Sequence, residues 1–202
     1  MDFVYPFLIS FMIVFFSELG DKTQLLVLSF SNKTKPLTIL LGVALGSLFS
    51  HGVAILFGSS ISLLENNFLH FILEIITYIS FFVFGIISFL PKKEENENNK
   101  KTSFIKKLAN FGFGYIFIIA FSIAIGELGD KTFLASIGLG ISYPYSKLFL
   151  ILGAILGMVV SDSIAILFGK VLNKYISENT MQKLSGMLFL IFGFIGLIKL
   201  FI

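Results

Sequence analysis

The chain has 202 residues, of which 56% are hydrophobic and only 13% charged, with a mean hydropathy of +0.94 and no Cys. Soluble globular domains carry about 25% charged residues, so this composition excludes most soluble folds, and the lack of Cys excludes disulfides and thiolate metal sites. The net charge of +3 does not indicate a nucleic-acid partner, because every basic residue is Lys and most of them flank hydrophobic stretches, as membrane-surface anchors do.

Six apolar segments are long enough to cross a lipid bilayer, which takes about 20 residues. In chain order they cover residues 4–30, 37–58, 68–90, 109–138, 146–169 and 181–202. The sequence therefore predicts an all-α, polytopic membrane protein with six transmembrane helices.

A charged and Asn-rich segment, Pro91–Lys107, separates the third apolar segment from the fourth. Its low hydrophobicity predicts a solvated and largely disordered loop. We therefore expect a first three-helix unit at residues 1–90, a cytoplasmic linker at 91–108 and a second three-helix unit at 109–202.

The lysines are distributed unequally between the two sides of the predicted membrane protein. Eleven lie in the loops after the first, third and fifth segments, whereas Lys147 and Lys199 are the two on the opposite side. Because positive charge accumulates on the cytoplasmic side, we expect these three loops in the cytoplasm and both termini outside.

The chain contains an internal repeat. The string ELGDKT occurs at Glu18–Thr23 and again at Glu127–Thr132, 109 residues later. A second match pairs Gly42, Gly46 and Ser50 with Gly153, Gly157 and Ser161. Since each copy holds three helices, the second copy enters from the opposite side of the bilayer. Such inverted repeats are typical of secondary transporters, whose substrate site lies near the midplane.

The ELGDKT motifs place ionisable residues inside predicted membrane spans, where such residues are costly and mark functional sites by default. In a continuous helix, Glu18, Asp21 and Lys22 lie on one face. Antiparallel packing of the first and fourth segments then brings four carboxylates to one centre. They belong to Glu18, Asp21, Glu127 and Asp130.

Other residues of the motifs have supporting roles in this interpretation. Gly20 and Gly129 weaken the helices, and a local break would free backbone carbonyls for a ligand. Thr23, Thr132 and Gln24 offer neutral oxygens or hydrogen bonds, while Lys22 and Lys131 act either as structural counter-ions or as groups displaced by a cation. Both roles of the lysines stay open.

The predicted centre suits a hard divalent cation such as Mn2+, Ca2+ or Mg2+, because its ligands are oxygen atoms. Four carboxylates and two lysines leave a net charge of −2, which one divalent ion or two protons neutralise. We expect no catalytic residues and no resident cofactor, since the cation is cargo and protons are the counter-ion.

Further polar residues of the predicted spans include His51, Asp162 and Glu74. His51 and Asp162 occupy equivalent positions in the second and fifth segments, where they line the pathway, relay protons or make a structural hydrogen bond. Glu74 has no acidic counterpart in the other repeat, and we expect it to have an interfacial or packing role.

The paired Glu-x-Gly-Asp-Lys-Thr motifs, one at the start of each three-helix unit, resemble those of the Gdt-type family of small divalent-cation transporters. That family includes Golgi manganese/calcium transporters and bacterial manganese exporters. The resemblance covers nearly the whole chain and implies that Glu18, Asp21, Glu127 and Asp130 are the metal ligands, with Thr23 and Thr132 as supporting groups. The lack of a long amino-terminal extension favours a bacterial cytoplasmic membrane.

The sequence thus predicts a secondary transporter that exports Mn2+, or Ca2+, from the cytosol in exchange for protons, by rocking of one repeat against the other. A passive divalent-cation channel with the same acidic centre is the alternative. An intramembrane enzyme is disfavoured, because the spans contain neither a His-Glu-x-x-His motif nor a Ser/His/Asp arrangement.

Overall fold

The computed structural model describes residues 3–19, 21–31, 33–63, 67–90, 114–175 and 178–201. Within these ranges the chain forms eight α-helices and one 3-10 turn, Pro144–Ser146. In chain order the helices are α1 (Val4–Glu18), α2 (Lys22–Ser31), α3 (Pro36–Ser62), α4 (Asn67–Ile87), α5 (Tyr115–Glu127), α6 (Lys131–Ser142), α7 (Lys147–Tyr175) and α8 (Glu178–Phe201). The predicted cytoplasmic linker at 91–108 lies outside the described residues.

The prediction of an all-helical chain is confirmed for these ranges, which contain no strand. Three helical stretches are long and apolar enough to cross a membrane: Pro36–Ser62, Phe68–Ile87 and Pro144–Leu167. Shorter apolar helices occupy Val4–Glu18, Tyr115–Glu127 and Lys183–Ile198. This set of apolar helices is typical of a membrane protein.

The first and fourth predicted segments are not continuous helices. The first divides into α1 and α2 after Glu18, and the fourth divides into α5 and α6 after Glu127. Both divisions therefore fall inside an ELGDKT motif. Each half-helix is too short to span a bilayer by itself, since 30 Å of hydrocarbon takes about 20 helical residues.

Helix α3 buries its small and polar residues and exposes its large apolar ones. Gly42, Gly46, Ser50, Ala54 and Gly58 recur every four residues and lie on the buried face. The outward face carries large side chains, namely Leu37, Leu41, Leu45, Leu48, Phe49, Val53, Leu56 and Phe57. A soluble helix has the reverse arrangement, whereas a helix among other helices in lipid packs through its small residues.

Each broken helix packs against the long second helix of the other repeat. Helix α1 packs mainly on α7, and α5 packs on α3. Glycines allow these close approaches: a Cβ atom on Gly46 would lie 2.7 Å from the carbonyl oxygen of Ala120, and one on Gly157 would lie 2.7 Å from that of Phe11. Phe11 and Ala120 are 109 residues apart, as the two motifs are. The two contacts are therefore equivalent.

Helices α4 and α8 form a third packed pair at the side of these contacts. The buried rings of Phe81 and Phe189 meet edge-on with centroids 5.8 Å apart. Farther inside, Ile13 and Val14 of α1 and Ile119 and Ile123 of α5 belong to one buried apolar cluster. The ends of α1 and α5 are thus held in a close-packed interior.

The glycine contacts predict a position-specific loss of stability. Gly46→Ala and Gly157→Ala place a methyl group against backbone, which cannot move aside, so each should lower the free energy of unfolding by about 1–3 kcal/mol. Thermal unfolding in detergent, followed by circular dichroism, measures the effect.

The matched control is Gly52→Ala on the same helix. Its Cβ would meet only Leu48 Cδ1 at 3.5 Å, an ordinary contact, and alanine has the higher helix propensity. Equal stability of Gly46→Ala and Gly52→Ala would contradict the packing described here.

Candidate cation-binding centre

Acidic residues from the two ELGDKT motifs meet at the ends of the broken helices. Glu18 is the last residue of α1 and Glu127 is the last residue of α5, and both are 1% exposed. Glu18, Glu127 and the half-buried Asp130 each place one carboxylate oxygen within 4.8 Å of the others. The two motifs therefore contribute to one cluster, although they are far apart in sequence.

The backbone turns in the same way at both helix breaks. Leu19 and Leu128, which follow the glutamates, are extended with ψ angles of 114° and 117°. Two residues farther on, the N–H groups of Asp21 and Asp130 donate to the carbonyl oxygens of Glu18 and Glu127 at 3.1 Å. Each break thus brings the aspartate of the motif back beside its glutamate.

Gly129 has the positive φ angle, 82°, that completes the second break. Residues with a Cβ atom rarely adopt this conformation, whereas glycine adopts it freely. Gly20, its counterpart in the first motif, lies outside the described residues. The helix break of the second motif therefore includes Gly129 in a conformation that glycine favours.

A threonine supports the glutamate of each motif. The hydroxyl of Thr23 donates to Glu18 Oε2 at 3.0 Å, and the hydroxyl of Thr132 donates to Glu127 Oε2 at the same distance. Thr132 also lies 3.4 Å from Asp130 Oδ2. Each threonine thus fixes one oxygen of its glutamate. Glu18 Oε1 is buried without a hydrogen-bond partner in the described part of the chain.

Asp21 and Lys131 complete the charged surroundings. Asp21 is half-buried and close enough to Glu18 and Glu127 for their charges to interact. Lys131 begins α6 and attracts the carboxylate of Glu18. The side chain of Lys22 lies outside the described atoms. The charge around the cluster is therefore dominated by acids in the region that the structure describes.

Such a cluster is unfavourable unless something neutralises it. Two unit charges about 5 Å apart repel by roughly 3 kcal/mol at an effective dielectric constant of about 20, and burial adds a desolvation cost for each charge. A divalent cation or bound protons remove both costs. Carboxylate and hydroxyl oxygens are the ligands that hard cations such as Ca2+, Mg2+ and Mn2+ prefer.

Polar contacts tie the helices beside the centre to the long helices of the other repeat. Gln24 Nε2, at the start of α2, donates to Ser161 Oγ of α7 at 2.8 Å. His51 Nδ1 of α3 lies 3.0 Å from Ser136 Oγ of α6. The sequence did not identify Ser136 as a functional residue, because a single Ser in an apolar segment has no distinguishing pattern. Both contacts fix half-helices that adjoin the carboxylates.

Asp162 and His51 are buried at equivalent positions of α7 and α3, yet their surroundings differ. Asp162 is close enough to Glu127 for their charges to interact, and its Oδ2 has no hydrogen-bond partner among the described residues. His51 Nε2 also has none, while Nδ1 faces Ser136. Of these two residues, Asp162 is thus the one that interacts electrostatically with the acidic cluster.

The predicted continuous helix through the first motif is not observed. The sequence predicts Glu18, Asp21 and Lys22 on one helical face, but Glu18 ends α1 and Asp21 precedes α2. The extended Leu19 separates them. The carboxylates approach each other because the helix stops, and the same holds for Glu127 and Asp130.

Comparison with known proteins identifies a family for both halves of the chain. The family model for the divalent cation/proton antiporter GDT1 matches residues 6–96 and 115–201. These stretches include both ELGDKT motifs, and most of the charged linker falls between them. No solved structure matches the chain.

Several curated proteins are similar over most of the chain. A Vibrio cholerae protein named "Putative manganese exporter" is 30% identical over 91% of this chain and 86% of its own length. The GDT1-like protein sll0615 of Synechocystis is 27% identical over 94% of this chain and 95% of its own length. Protein PAM71 of Arabidopsis thaliana chloroplasts is 26% identical, and the chain spans 56% of its length.

The positive φ angle of Gly129 predicts a graded response to substitution. A Cβ at this position would meet nothing within 4 Å, so only backbone strain is tested. We expect Gly129→Asn to be tolerated, because Asn enters the left-handed region, and Gly129→Val to lose at least about 1–2 kcal/mol of stability. Thermal unfolding measures both, with Gly126→Ala, whose Cβ makes an ordinary 3.6 Å contact, as control. Equal stability of the Asn and Val variants would contradict the assigned backbone.

Because the carboxylates of the cluster repel each other, one substitution should affect thermal stability differently in the absence and in the presence of a divalent cation. Glu127→Gln removes a negative charge, so without divalent cations it should unfold at the same temperature as the unaltered protein or higher. Saturating Mn2+ should stabilise the unaltered protein by about 2.7 kcal/mol at a hundredfold excess over Kd and stabilise Glu127→Gln far less. Thermal unfolding across a Mn2+ titration tests this.

Glu74→Gln is the matched control for that titration, because it neutralises a glutamate of α4 that is not part of the cluster. It should keep the stabilisation by Mn2+. Equal stabilisation of Glu127→Gln and the unaltered protein would show that the cluster does not bind the cation.

Proposed function

The chain belongs to the GDT1 family of divalent cation/proton antiporters, and we propose that it exports Mn2+ from the cytosol in exchange for protons. The family is one of membrane transporters, not of enzymes. Family membership does not specify the cation, the direction of transport or the residues that bind the cation, and these three are what we propose here. Ca2+ is the second candidate cargo.

One observation carries the proposal: buried carboxylates from both motifs converge at the meeting point of two broken helices. Charge that is buried in a membrane protein is retained where it binds or moves ions. The all-oxygen ligand set supports a hard cation, and the name of the Vibrio relative supports Mn2+ among such cations. We assign Glu18, Asp21, Glu127 and Asp130 as the ligands.

We propose that the eight helices form six membrane spans. In this arrangement α1 with α2, and α5 with α6, each cross the bilayer as one broken helix, while α3, α4, α7 and α8 cross singly. The equivalent contacts of Gly46 with Ala120 and of Gly157 with Phe11 support an inverted repeat. The lysine distribution supports termini outside and the central loop in the cytoplasm.

Exchange follows from the charge of the centre. The proposed ligands bind either protons or one divalent cation, because both relieve the repulsion between carboxylates, and binding of one disfavours the other. A cation that arrives from the cytosol displaces protons, and protons that arrive from outside displace the cation. Two protons for each cation keep the charge of the centre constant.

The helix contacts suggest which parts move. Helices α1 and α2 pack on α7, whereas α5 and α6 pack on α3. We propose that these two groups rock against each other, so that the centre opens alternately to each side. The moving bodies then each combine helices of both repeats, in contrast to the rocking of whole repeats that the sequence suggested.

The burial of the centre also bears on the channel alternative. A conducting channel needs a continuous aqueous path, but Glu18 and Glu127 are each 1% exposed and adjoin buried apolar residues such as Ile13 and Ile123. An occluded centre favours exchange by alternating access. A channel would still move Mn2+ down its gradient, so coupling to protons discriminates the two.

The test is transport into proteoliposomes with an acidic lumen and the membrane potential clamped at zero. We expect accumulation of Mn2+ against its own gradient, with Ca2+ and Mg2+ as competitors that rank the preference. Asp21→Asn and Asp130→Asn should reduce uptake by at least about a hundredfold, because removal of a charged ligand from a buried site costs about 3 kcal/mol or more.

Lys147→Gln serves as the control, since it removes an exposed charge at the start of α7. It should transport like the unaltered protein. Equilibration without accumulation would identify a channel, and full activity of Asp21→Asn or Asp130→Asn would contradict the ligand assignment.

A further inference from the structure

A second polar site lies away from the acidic centre, around a cavity of about 30 Å3 between α1, α4, α6 and α8. This volume has room for about one water molecule. Three tyrosines from three different parts of the chain line the cavity, and we call them the tyrosine cluster: Tyr5, Tyr78 and Tyr143. Phe192, Ile195 and Gly196 are the described contribution of α8 to the lining.

The hydroxyl-bearing side chains of this site lie close together. The rings of Tyr5 and Tyr143 meet edge-on with centroids 6.0 Å apart. Tyr78 is close enough to Tyr5 and Glu74 to interact with them electrostatically. Ser142 Oγ is buried in the cavity wall near Tyr78 and makes no hydrogen bond of good geometry to the part of the chain that the structure describes. A water molecule in the cavity would supply the partner that this hydroxyl lacks.

One face of α4 leads from the edge of the bundle to this cavity. His70, Glu74 and Tyr78 are four residues apart and therefore lie above one another on the helix. His70 Nδ1 is 3.7 Å from Glu74 Oε2. The side chains of His70 and Glu74 are 35% and 21% exposed, whereas Tyr78 is 7% exposed. Polar groups therefore continue along α4 from the partly exposed His70 and Glu74 to the buried Tyr78, while Tyr5, across the cavity, is itself 49% exposed.

The tyrosine cluster and the acidic centre occupy different depths of the same bundle. Tyr5 precedes Glu18 by 13 residues of α1, which corresponds to roughly 20 Å along the helix. The residues between them on the facing surfaces are buried and apolar, notably Ile9 and Ile13 of α1 and Leu139 of α6. In the proposed orientation, the tyrosine cluster lies on the external side.

We propose that Glu74 and the tyrosine cluster form the entry site for external protons. This inference rests on the proposed exchange and orientation. External water gives a proton to the carboxylate of Glu74, which passes it to the Tyr78 hydroxyl as that hydroxyl releases its own proton to water in the cavity. Only O–H bonds form and break, and each hydroxyl ends with the proton count that it started with.

The composition of the site favours protons over the divalent cation. It holds one carboxylate, one imidazole and four neutral hydroxyl groups, whereas hard divalent cations select sites with several anionic oxygens. Tyrosine and serine hydroxyls both donate and accept hydrogen bonds, which is the property that a proton relay requires. The titratable groups that interact with Glu74 are His70 and Tyr78 on its own helix and Tyr143 after α6, and Tyr5 of α1 interacts in turn with Tyr78 and Tyr143.

The experiment uses everted membrane vesicles that contain the full chain, whose lumen corresponds to the external side. Mn2+ uptake is measured over a series of lumenal pH values with the cytosolic side held constant. A second assay measures exchange of radioactive for unlabelled Mn2+ at equal pH on both sides, which requires cation movement but no net proton movement. The variants are Glu74→Gln and Tyr78→Phe.

We expect both variants to reduce proton-driven uptake by at least about tenfold, as for loss of a positioned proton-transfer group, and to keep Mn2+/Mn2+ exchange unchanged. The dependence on lumenal pH should flatten in Glu74→Gln. Tyr145→Phe is the matched control, because it removes the hydroxyl of a tyrosine that is 86% exposed and does not line the cavity, and it should leave both assays unchanged.

Unchanged proton-driven uptake in both variants would overturn the inference and leave the proposed exporter intact. Equal loss of uptake and of Mn2+/Mn2+ exchange would also overturn it, because the site would then be structural or part of the cation path. Absence of any Mn2+ transport by the unaltered protein would instead contradict the proposed function. If Glu74→Gln does not reach the membrane, the same comparison is made with Tyr78→Phe alone. This variant differs from the unaltered protein by a single hydroxyl group and should therefore still fold.

Discussion

Repulsion between buried carboxylates is the constraint on which the rest of the molecule depends. Two helix ends hold Glu18 and Glu127 together with the half-buried Asp130, and the two glutamates are buried where bulk water screens their charges little. Close packing of α1 on α7 and of α5 on α3 resists their separation. In the exchange that we propose, a cation or protons relieve this unfavourable arrangement, and binding at the centre therefore responds to both.

The two halves of the centre share an extended leucine and an aspartate-to-glutamate backbone hydrogen bond, but their surroundings differ. The glutamate–threonine hydrogen bonds have the same length in both motifs. Beyond the threonine the motifs diverge: Gln24 ties α2 to Ser161, whereas Phe133 occupies the corresponding place in the second motif. Asp162 and His51 likewise differ in charge. The proposed ligands are therefore related by near symmetry, whereas the residues around them differ in chemistry between the two halves.

Much of the architecture could be predicted from the sequence, because the signals were strong and local. Apolar length predicted the helices, and the repeated ELGDKT string predicted which residues would meet. The break after Glu18 and Glu127 was only partly foreseen, since a glycine inside an apolar segment is compatible with both a continuous and a broken helix. The positive φ angle of Gly129 is a property of the folded backbone. The spacing of the acidic residues is the same whether this glycine is helical or not, so the spacing cannot predict the angle.

Contacts between distant residues were beyond sequence reasoning for a different reason. Gln24 and Ser161 are 137 residues apart, and His51 and Ser136 are 85 apart. Their pairing depends on the rotation of each helix about its axis, which packing of the whole bundle determines. Tyr5, Tyr78 and Tyr143 gave no motif at all, and their proximity emerges only from the way in which α1, α4 and α6 converge.

Helices of the first repeat pack mainly on helices of the second repeat, and this has a consequence for biosynthesis. The glycine face of α3 is filled by α5, and α1 is covered by α7, so the first half of the chain emerges from the ribosome before either partner exists. Until the second half inserts, Glu18 lacks Glu127 and Asp130, and the small-residue surfaces of α3 face lipid or other proteins. Assembly of this protein is therefore a late event, and premature termination yields helices without a packed core.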